Sequence, residues 1–171
     1  MTTRTNDERL LMWLQDAYSM EQEAETMLKA MAGRIEHYPE LKARIEQHVA
    51  ETRQQAERLR TCIEQLGGST PIVRSAVADL MAAFQAVGNS MMSDEIAKGF
   101  GISYAFEHME VASYRSLILA ARQAGRADIA EVCETILQEE ITMAGWLAEH
   151  QDAVITRFLQ REATEGVTAK R

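Results

Sequence analysis

The sequence predicts an all-α protein, a four-helix bundle closed by one long crossover, and three observations predict it. Good helix formers dominate a chain of 171 residues that holds only 2 prolines and 9 glycines. Four segments repeat their apolar residues with the period of one helix face. The connections between these segments are unequal: the first and last are short and force antiparallel neighbours, and the middle one is long enough to run from one end of a bundle to the other. The length suits one domain. We place it at residues 1–161, with 162–171 a polar tail expected to fray.

The first helix is predicted from Asn6 to Glu36, where Leu10, Leu14, Ala17, Ala24, Leu28, Met31 and Ile35 share a face once Glu21 counts as a core position. Pro39 suits the first turn of a second helix, whose face runs through Leu41, Ile45, His48, Thr52, Leu59, Ile63 and Leu66 and stops at Gly67-Gly68. A third helix opens at Ser93-Asp94, a suitable cap, and continues through Ile96, Phe100, Ser103, Glu107, Glu110, Tyr114, Leu117 and Ala121 to Gly125. After the tight turn at Ala124-Gly125-Arg126, the fourth passes through Ile129, Cys133, Ile136, Glu140, Met143, Leu147 and Val154 and reaches about Arg161. The crossover, roughly Gly68 to Met92, carries the apolar stretch from Ala76 to Val87, which can form a short helix of its own.

Charge and composition exclude several functions. With 26 acidic against 18 basic residues the net charge is −8, which argues against a phosphate-binding surface and so against nucleic acid as a partner. No apolar run approaches the roughly 18 to 20 residues of a membrane span. The first ten residues lack the apolar core of a signal peptide, and Cys62 and Cys133 stand alone without metal-type spacing, so a soluble protein with free thiols in a reducing cytoplasm is expected.

The informative anomaly lies on the apolar stripes. Projected at about 100° per residue, Glu21, Glu107, Glu110 and Glu140 fall on or close to their midlines, each near the middle of its helix, so they should meet at one level. On the second helix that level runs from His48, central in the stripe, to Glu51 and Gln55, which lie toward its edge. A single unpaired buried carboxylate costs several kcal/mol against a total stability of about 5 to 15 kcal/mol, so such a layer requires protons, basic partners or cations. No Lys or Arg lies near the midline at this level. Two divalent ions would bring about +4, and hard oxygen ligands with at most one imidazole suit iron or manganese. The Glu107 and Glu110 carboxylates, three residues apart, can hold one ion and reach a second. Tyr114 is expected chiefly to pack, with a hydrogen bond to the site as the sharper alternative, and His108 points further outward. Met12, Met27, Met31, Met81 and Met143 read as adaptable core filler.

At these residues the chain resembles the ferritin-like superfamily. More specifically, Tyr18-Ser19-Met20-Glu21-Gln22, His48-Val49-Ala50-Glu51-Thr52 with Gln55, the run from Glu107 to Tyr114, and Glu139-Glu140 together resemble the YciE/YciF stress-response family of bacteria. The resemblance implies a compact bundle, usually a dimer related to rubrerythrin-type bundles, with a general-stress association and a poorly defined activity. It implies metal ligands at Glu21, Glu51, Glu107, Glu110 and Glu140. The chain departs from it where the usual ExxH of helices two and four reads Glu51-x-x-Gln54 and Glu140-x-x-Met143, and where Ala144 replaces a frequent acid. His48 can substitute on geometric grounds. Two functions follow as expectations. One is a stress protein whose dinuclear iron or manganese centre handles oxygen or peroxide or simply holds metal. The other is a non-enzymatic helical homodimer with a degenerate or empty site that acts through a protein partner.

Overall fold

Each of the four periodic segments forms one helix in the computed structural model, which describes residues 5–71 and 94–169. They are α1 (Asn6–Arg34), α2 (Pro39–Gln65), α3 (Glu95–Gln123) and α4 (Ala127–Glu162). The element bounds lie within two residues of those read from the pattern. The expected short crossover helix and the apolar strip from Phe84 to Val87 lie outside the described residues.

Local chemistry sets the helix ends. At the start of α1, Thr5 Oγ1 accepts the Glu8 N–H at 3.1 Å and Glu8 Oε2 accepts the Thr5 N–H at 2.8 Å, a reciprocal cap that satisfies two backbone donors. Pro39 opens α2 at a position where its missing N–H costs nothing. Both α2 and α3 stop at a glycine in the left-handed region, Gly67 at φ 72° and Gly125 at φ 71°. The following N–H groups, of Gly68 and Arg126, then reach back to the carbonyls of Ile63 and Ala121 and occupy acceptors that the helix leaves open. Asp94 corrects one expectation. It stands at the N-cap of α3, but its side chain makes no capping hydrogen bond and instead pairs with Lys98 Nζ at 3.0 Å.

Side-chain contacts fix the directions of the helices. From α1 to α3, Asn6 reaches the Gln123 carbonyl, Glu21 meets Tyr114, Met31 meets Ser103, and Arg34 pairs with Glu95, so rising numbers on one helix meet falling numbers on the other. Between α2 and α4 the series is Gln65 with Arg126, Arg58 with Glu139, Gln55 with Glu140, and Tyr38 with Arg157. Both lateral pairs are antiparallel. Pro71 and Asp94, the described ends of the crossover, therefore lie at opposite ends of the bundle.

The interior divides into three zones. One apolar cluster joins Leu10, Leu14, Leu59, Ile63, Leu117, Ile129 and their neighbours; the other joins Leu28, Leu41, Ile45, Phe100, Met143, Leu147 and theirs. Between them lies a layer in which the buried side chains are polar: Glu21, His48, Thr52, Gln55, Ser103, Glu107, Glu110 and Glu140. The segment after α4 contacts the bundle as far as Ala169. Tyr38 Oη donates to the Ala169 carbonyl at 2.8 Å, and the Arg161 guanidinium donates to the Thr168 carbonyl. Among the described residues, no helix is long and apolar enough to cross a membrane.

Candidate metal centre

The polar layer arises because each helix places an acid or its partner within about one turn of its midpoint on the face that elsewhere carries Leu and Ile. Glu21 comes from α1, His48 and Gln55 from α2, Glu107 and Glu110 from α3, and Glu140 from α4. Glu21, Glu107 and Glu110 are each 1% exposed and Glu140 is 0% exposed, so bulk water does not solvate them. His48, Glu107, Glu110 and Glu140 converge: one ligand atom from each lies within 4.8 Å of every other. His48 Nε2 is 3.3 Å from Glu107 Oε2 and 3.6 Å from Glu140 Oε2.

The remaining two expected ligands stand differently. Glu21 is buried in the same layer, where its Oε1 accepts a hydrogen bond from Tyr114 Oη. Glu51 lies at the rim, 26% exposed, and both its oxygens are already occupied. Oε1 accepts from Gln47 Nε2 at 2.8 Å, while Oε2 lies 3.0 Å from Arg44 Nη1 and 2.8 Å from His48 Nδ1. His108 is exposed and packs edge-on against Tyr104. Tyr114 does more than pack, since its hydroxyl is the donor to Glu21.

Pattern reading missed Gln55. It is not at the stripe edge but wholly buried, and its Nε2 donates to both Glu140 Oε1 and Glu139 Oε2. Arg58 holds Glu139 from the other side with two guanidinium hydrogen bonds. The signal was available, because 48, 52, 55 and 59 follow the three-and-four spacing of one face. Gln54, in the register that the ExxH comparison used, is exposed. On α4 the corresponding histidine position is Met143, fully buried, and Ala144 beside it is buried too.

Four carboxylate oxygens, Glu21 Oε2, Glu107 Oε2, Glu110 Oε1 and Glu140 Oε2, are buried and accept no aligned hydrogen bond. That is the state expected of hard oxygen donors awaiting a cation, and among the described residues no Lys or Arg forms an ion pair with any of the four acids. Without a cation the layer must hold protons. Burial pushes Glu21 up to about 8, against the opposing Tyr114 hydrogen bond and the nearby His48. Burial and then the facing carboxylates push Glu110 and Glu140 well above the ordinary range. Burial also disfavours a charged His48, but Glu107, Glu51 and Glu140 outweigh it and raise its pKa to about 10. The His48 hydrogen bond, with Arg44 behind it, lowers Glu51 to about 2 despite its partial burial. An imidazole with three or four carboxylates in a dry interior fits iron or manganese in ligand type.

Comparison with known proteins agrees with this architecture. A crystal structure of a protein from Xanthomonas campestris pv. campestris is 56% identical over 94% of this chain and 100% of that one, with a TM-score of 0.83. The Escherichia coli stress protein YciF is 22% identical, covering 87% of this chain and 96% of its own, at a TM-score of 0.75. A ferritin-like, diiron-carboxylate protein of Bacillus anthracis shares the fold at 14% identity and a TM-score of 0.72, covering 87% and 99% of the two chains. The family model described as a domain of unknown function, DUF892, matches residues 5–160. The chain therefore belongs to the DUF892 family, and its all-α bundle is the ferritin-like fold that the resemblance to YciE/YciF proteins implied.

Proposed function

We propose that this chain is a metal-binding ferritin-like protein that holds iron or manganese at the centre of its bundle. The carrying observation is the convergence of Glu107, Glu110 and Glu140 with one imidazole, in a layer where these acids and Glu21 each keep a buried oxygen without an aligned donor. Glu107, Glu110, Glu140 and His48 would hold the first ion, and Glu21, one helix away with an open oxygen, would complete a second position. Such ions supply one-electron redox chemistry toward oxygen or peroxide when bound. The chain's own residues set the conditions for it. The apolar clusters on either side exclude water, Tyr114 Oη holds Glu21 in place by donating to Oε1, and Gln55 restrains Glu140 through its amide. A Glu that keeps one oxygen in a hydrogen bond can turn the other toward a ligand position and back.

The likeness to a stress protein supports a role during stress, and we propose a cytoplasmic homodimer as its setting. Loading with iron(II) or manganese(II), followed by metal analysis of the desalted chain, tests it. We expect up to two ions per chain, lost together when Glu107 and Glu110 are changed to Gln. Well under one ion per chain would overturn the reading. The second reading, a helical dimer with a degenerate site acting through a protein partner, draws on Met143 and Ala144, both buried where ligands are usual. It predicts a chain that stays fully folded in chelator and gains nothing from either metal.

A further inference from the structure

We infer that Glu51 is not a ligand but a positioning residue, which holds His48 so that its Nε2 is the one imidazole donor to the Glu107, Glu110 and Glu140 cluster. This rests on the metal-binding reading above and assigns the rim of that site.

The two ring nitrogens of His48 face different surroundings. Nδ1 lies 2.8 Å from Glu51 Oε2 at the rim, whereas Nε2 points between Glu107 Oε2 and Glu140 Oε2 in the dry layer. An ionised carboxylate can only accept, so the contact with Glu51 keeps a hydrogen on Nδ1 and makes Nε2 the nitrogen that can exchange its proton for a cation. A histidine that binds metal through one nitrogen characteristically donates its other N–H to a carboxylate or carbonyl, which fixes both tautomer and ring orientation. Here the carboxylate sits three residues on along the same helix, so the helix itself sets the spacing.

Glu51 is in turn fixed from outside. Arg44, with a side chain only 10% exposed, and Gln47 occupy its oxygens from nearly two turns and about one turn earlier on α2. All three of its contacts come from α2, none from the cluster, and its other surroundings are a polar groove of about 430 Å³ shared with Thr135, Gln138, Glu139 and Thr142 of α4. With both oxygens engaged on the rim, Glu51 has none to offer the layer. No other imidazole competes for the role among the described residues. His108 is exposed, His37 pairs with Glu36 near the α1–α2 turn, and His150 Nδ1 is bound to the Trp146 carbonyl.

The test uses zinc(II), a diamagnetic probe, on the full chain labelled with ¹⁵N at histidine, and compares the wild type with Glu51→Ala, Glu51→Gln and His48→Gln. In the zinc-loaded wild type the His48 Nε2 resonance should take the metal-bound shift while Nδ1 keeps its proton. Chelator competition should show Glu51→Ala binding zinc 10- to 100-fold more weakly with its stoichiometry unchanged, the size expected for loss of a residue that orients a ligand. Glu51→Gln, whose amide oxygen still accepts from Nδ1–H, should recover part of that loss. Adding His48→Gln to Glu51→Ala should cost less than it does alone, because the two residues act through one nitrogen. Zinc on Nδ1, additive losses, or an unchanged affinity and spectrum in Glu51→Ala would each overturn the assignment while leaving the metal reading intact. A wild type that binds no zinc, iron or manganese would overturn both, and that result is distinct because it appears before any variant is compared.

Discussion

The two walls of the polar layer solve the same problem differently. On the wall made by α1 and α3, Glu21 accepts from one neutral donor, the Tyr114 hydroxyl, Glu107 is approached by His48 Nε2 at 3.3 Å, and each of Glu21, Glu107 and Glu110 keeps an oxygen without an aligned donor. On the wall made by α2 and α4, Glu140 is met by Gln55 and His48, and these connect through Glu139 and Glu51 to Arg58 and Arg44 at the surface. The first wall is a set of open acceptors, and the second is a hydrogen-bonded chain that ends in solvent. Most of the demand for positive charge therefore lies with α1 and α3, which carry three of the four open oxygens. The α2–α4 wall contributes one imidazole and one carboxylate and, through Gln55 and Glu51, their orientation.

The largest effect that can break this comparison is on metal affinity. Changing Glu107 and Glu110 together to Gln removes two of the open acceptors while keeping their volume. We expect manganese or iron affinity to fall by at least about 100-fold, beyond what a residue that merely supports a ligand contributes. In chelator the same double variant should be as stable as the parent or more so, because two buried carboxyl groups, among them Glu110 whose ionisation burial opposes, become neutral amides. Thermal melts with and without metal check both halves. A large loss of stability in chelator would mean that these carboxylates were already satisfied and that the α1–α3 wall is not the deficient one.

The next effect is on pH dependence. Glu21 has its folded pKa raised from 4.5 to about 8, and Glu110 and Glu140 are raised as well. The folded metal-free chain thus holds protons that the unfolded chain releases. Their contribution is fully present below about pH 4.5 and is lost as pH rises through the folded values. His48, raised from 6.5 to about 10, acts in the same sense over a higher window. Glu51, lowered to about 2, acts in the opposite sense, and its contribution disappears only as pH falls below 4.5. The metal-free chain should therefore lose stability from about pH 5 to about pH 8 and somewhat beyond. With manganese bound the fall should flatten or reverse, since cation binding favours the deprotonated acids. Urea unfolding across that range, with chelator and with metal, reads the slope directly. A rising slope in chelator would place the acids in contact with water.

Most of the fold could be read from the spacing of Leu, Ile and Ala, because burying one stripe per helix is the only way four such segments become stable, and turn chemistry at Pro39, Gly67 and Gly125 marks where they stop. The level of the acid layer was also legible, since each Glu replaces an apolar residue at a core position. What the single-helix projection misplaced was Gln55 on α2, although the spacing of 48, 52, 55 and 59 carried its signal. Glu51 and Gln55 both project toward the stripe edge, yet packing against α4 buries Gln55 completely and leaves Glu51 at the rim. A projection of one helix does not know from which side its neighbour approaches. The cap at Asp94 failed for a similar reason: composition suited it, but Lys98 one turn on took the carboxylate. Periodicity also says nothing of single contacts outside the helices, such as that of Tyr38 with the Ala169 carbonyl.

Tyr114→Phe sharpens the account of the α1–α3 wall at a smaller scale. It removes the one donor to Glu21 and leaves another buried oxygen without a partner, which costs about 1 to 3 kcal/mol. The cost should be read in chelator at pH 9, above the raised value of Glu21, because at pH 5 a protonated Glu21 needs the hydroxyl less. An equal cost at both pH values would show that Tyr114 acts through packing alone.

The smallest expected effect lies on the opposite wall. Arg58 makes two hydrogen bonds to Glu139, but both side chains are about a third exposed, so the pair forms in a high dielectric and gives up side-chain freedom to do so. Arg58→Ala should therefore cost no more than about 1 kcal/mol of stability and leave metal affinity within a few-fold of the parent. Gln55 would still donate to Glu140 after Glu139 relaxes into solvent, since its contact with Glu140 is buried and does not depend on the rim. If instead Arg58→Ala weakened metal binding as much as the Glu107 and Glu110 changes do, the hydrogen-bonded chain would be transmitting the surface charge to Glu140. The α2–α4 wall would then supply neutralisation as well as orientation, and the contrast between the walls would collapse.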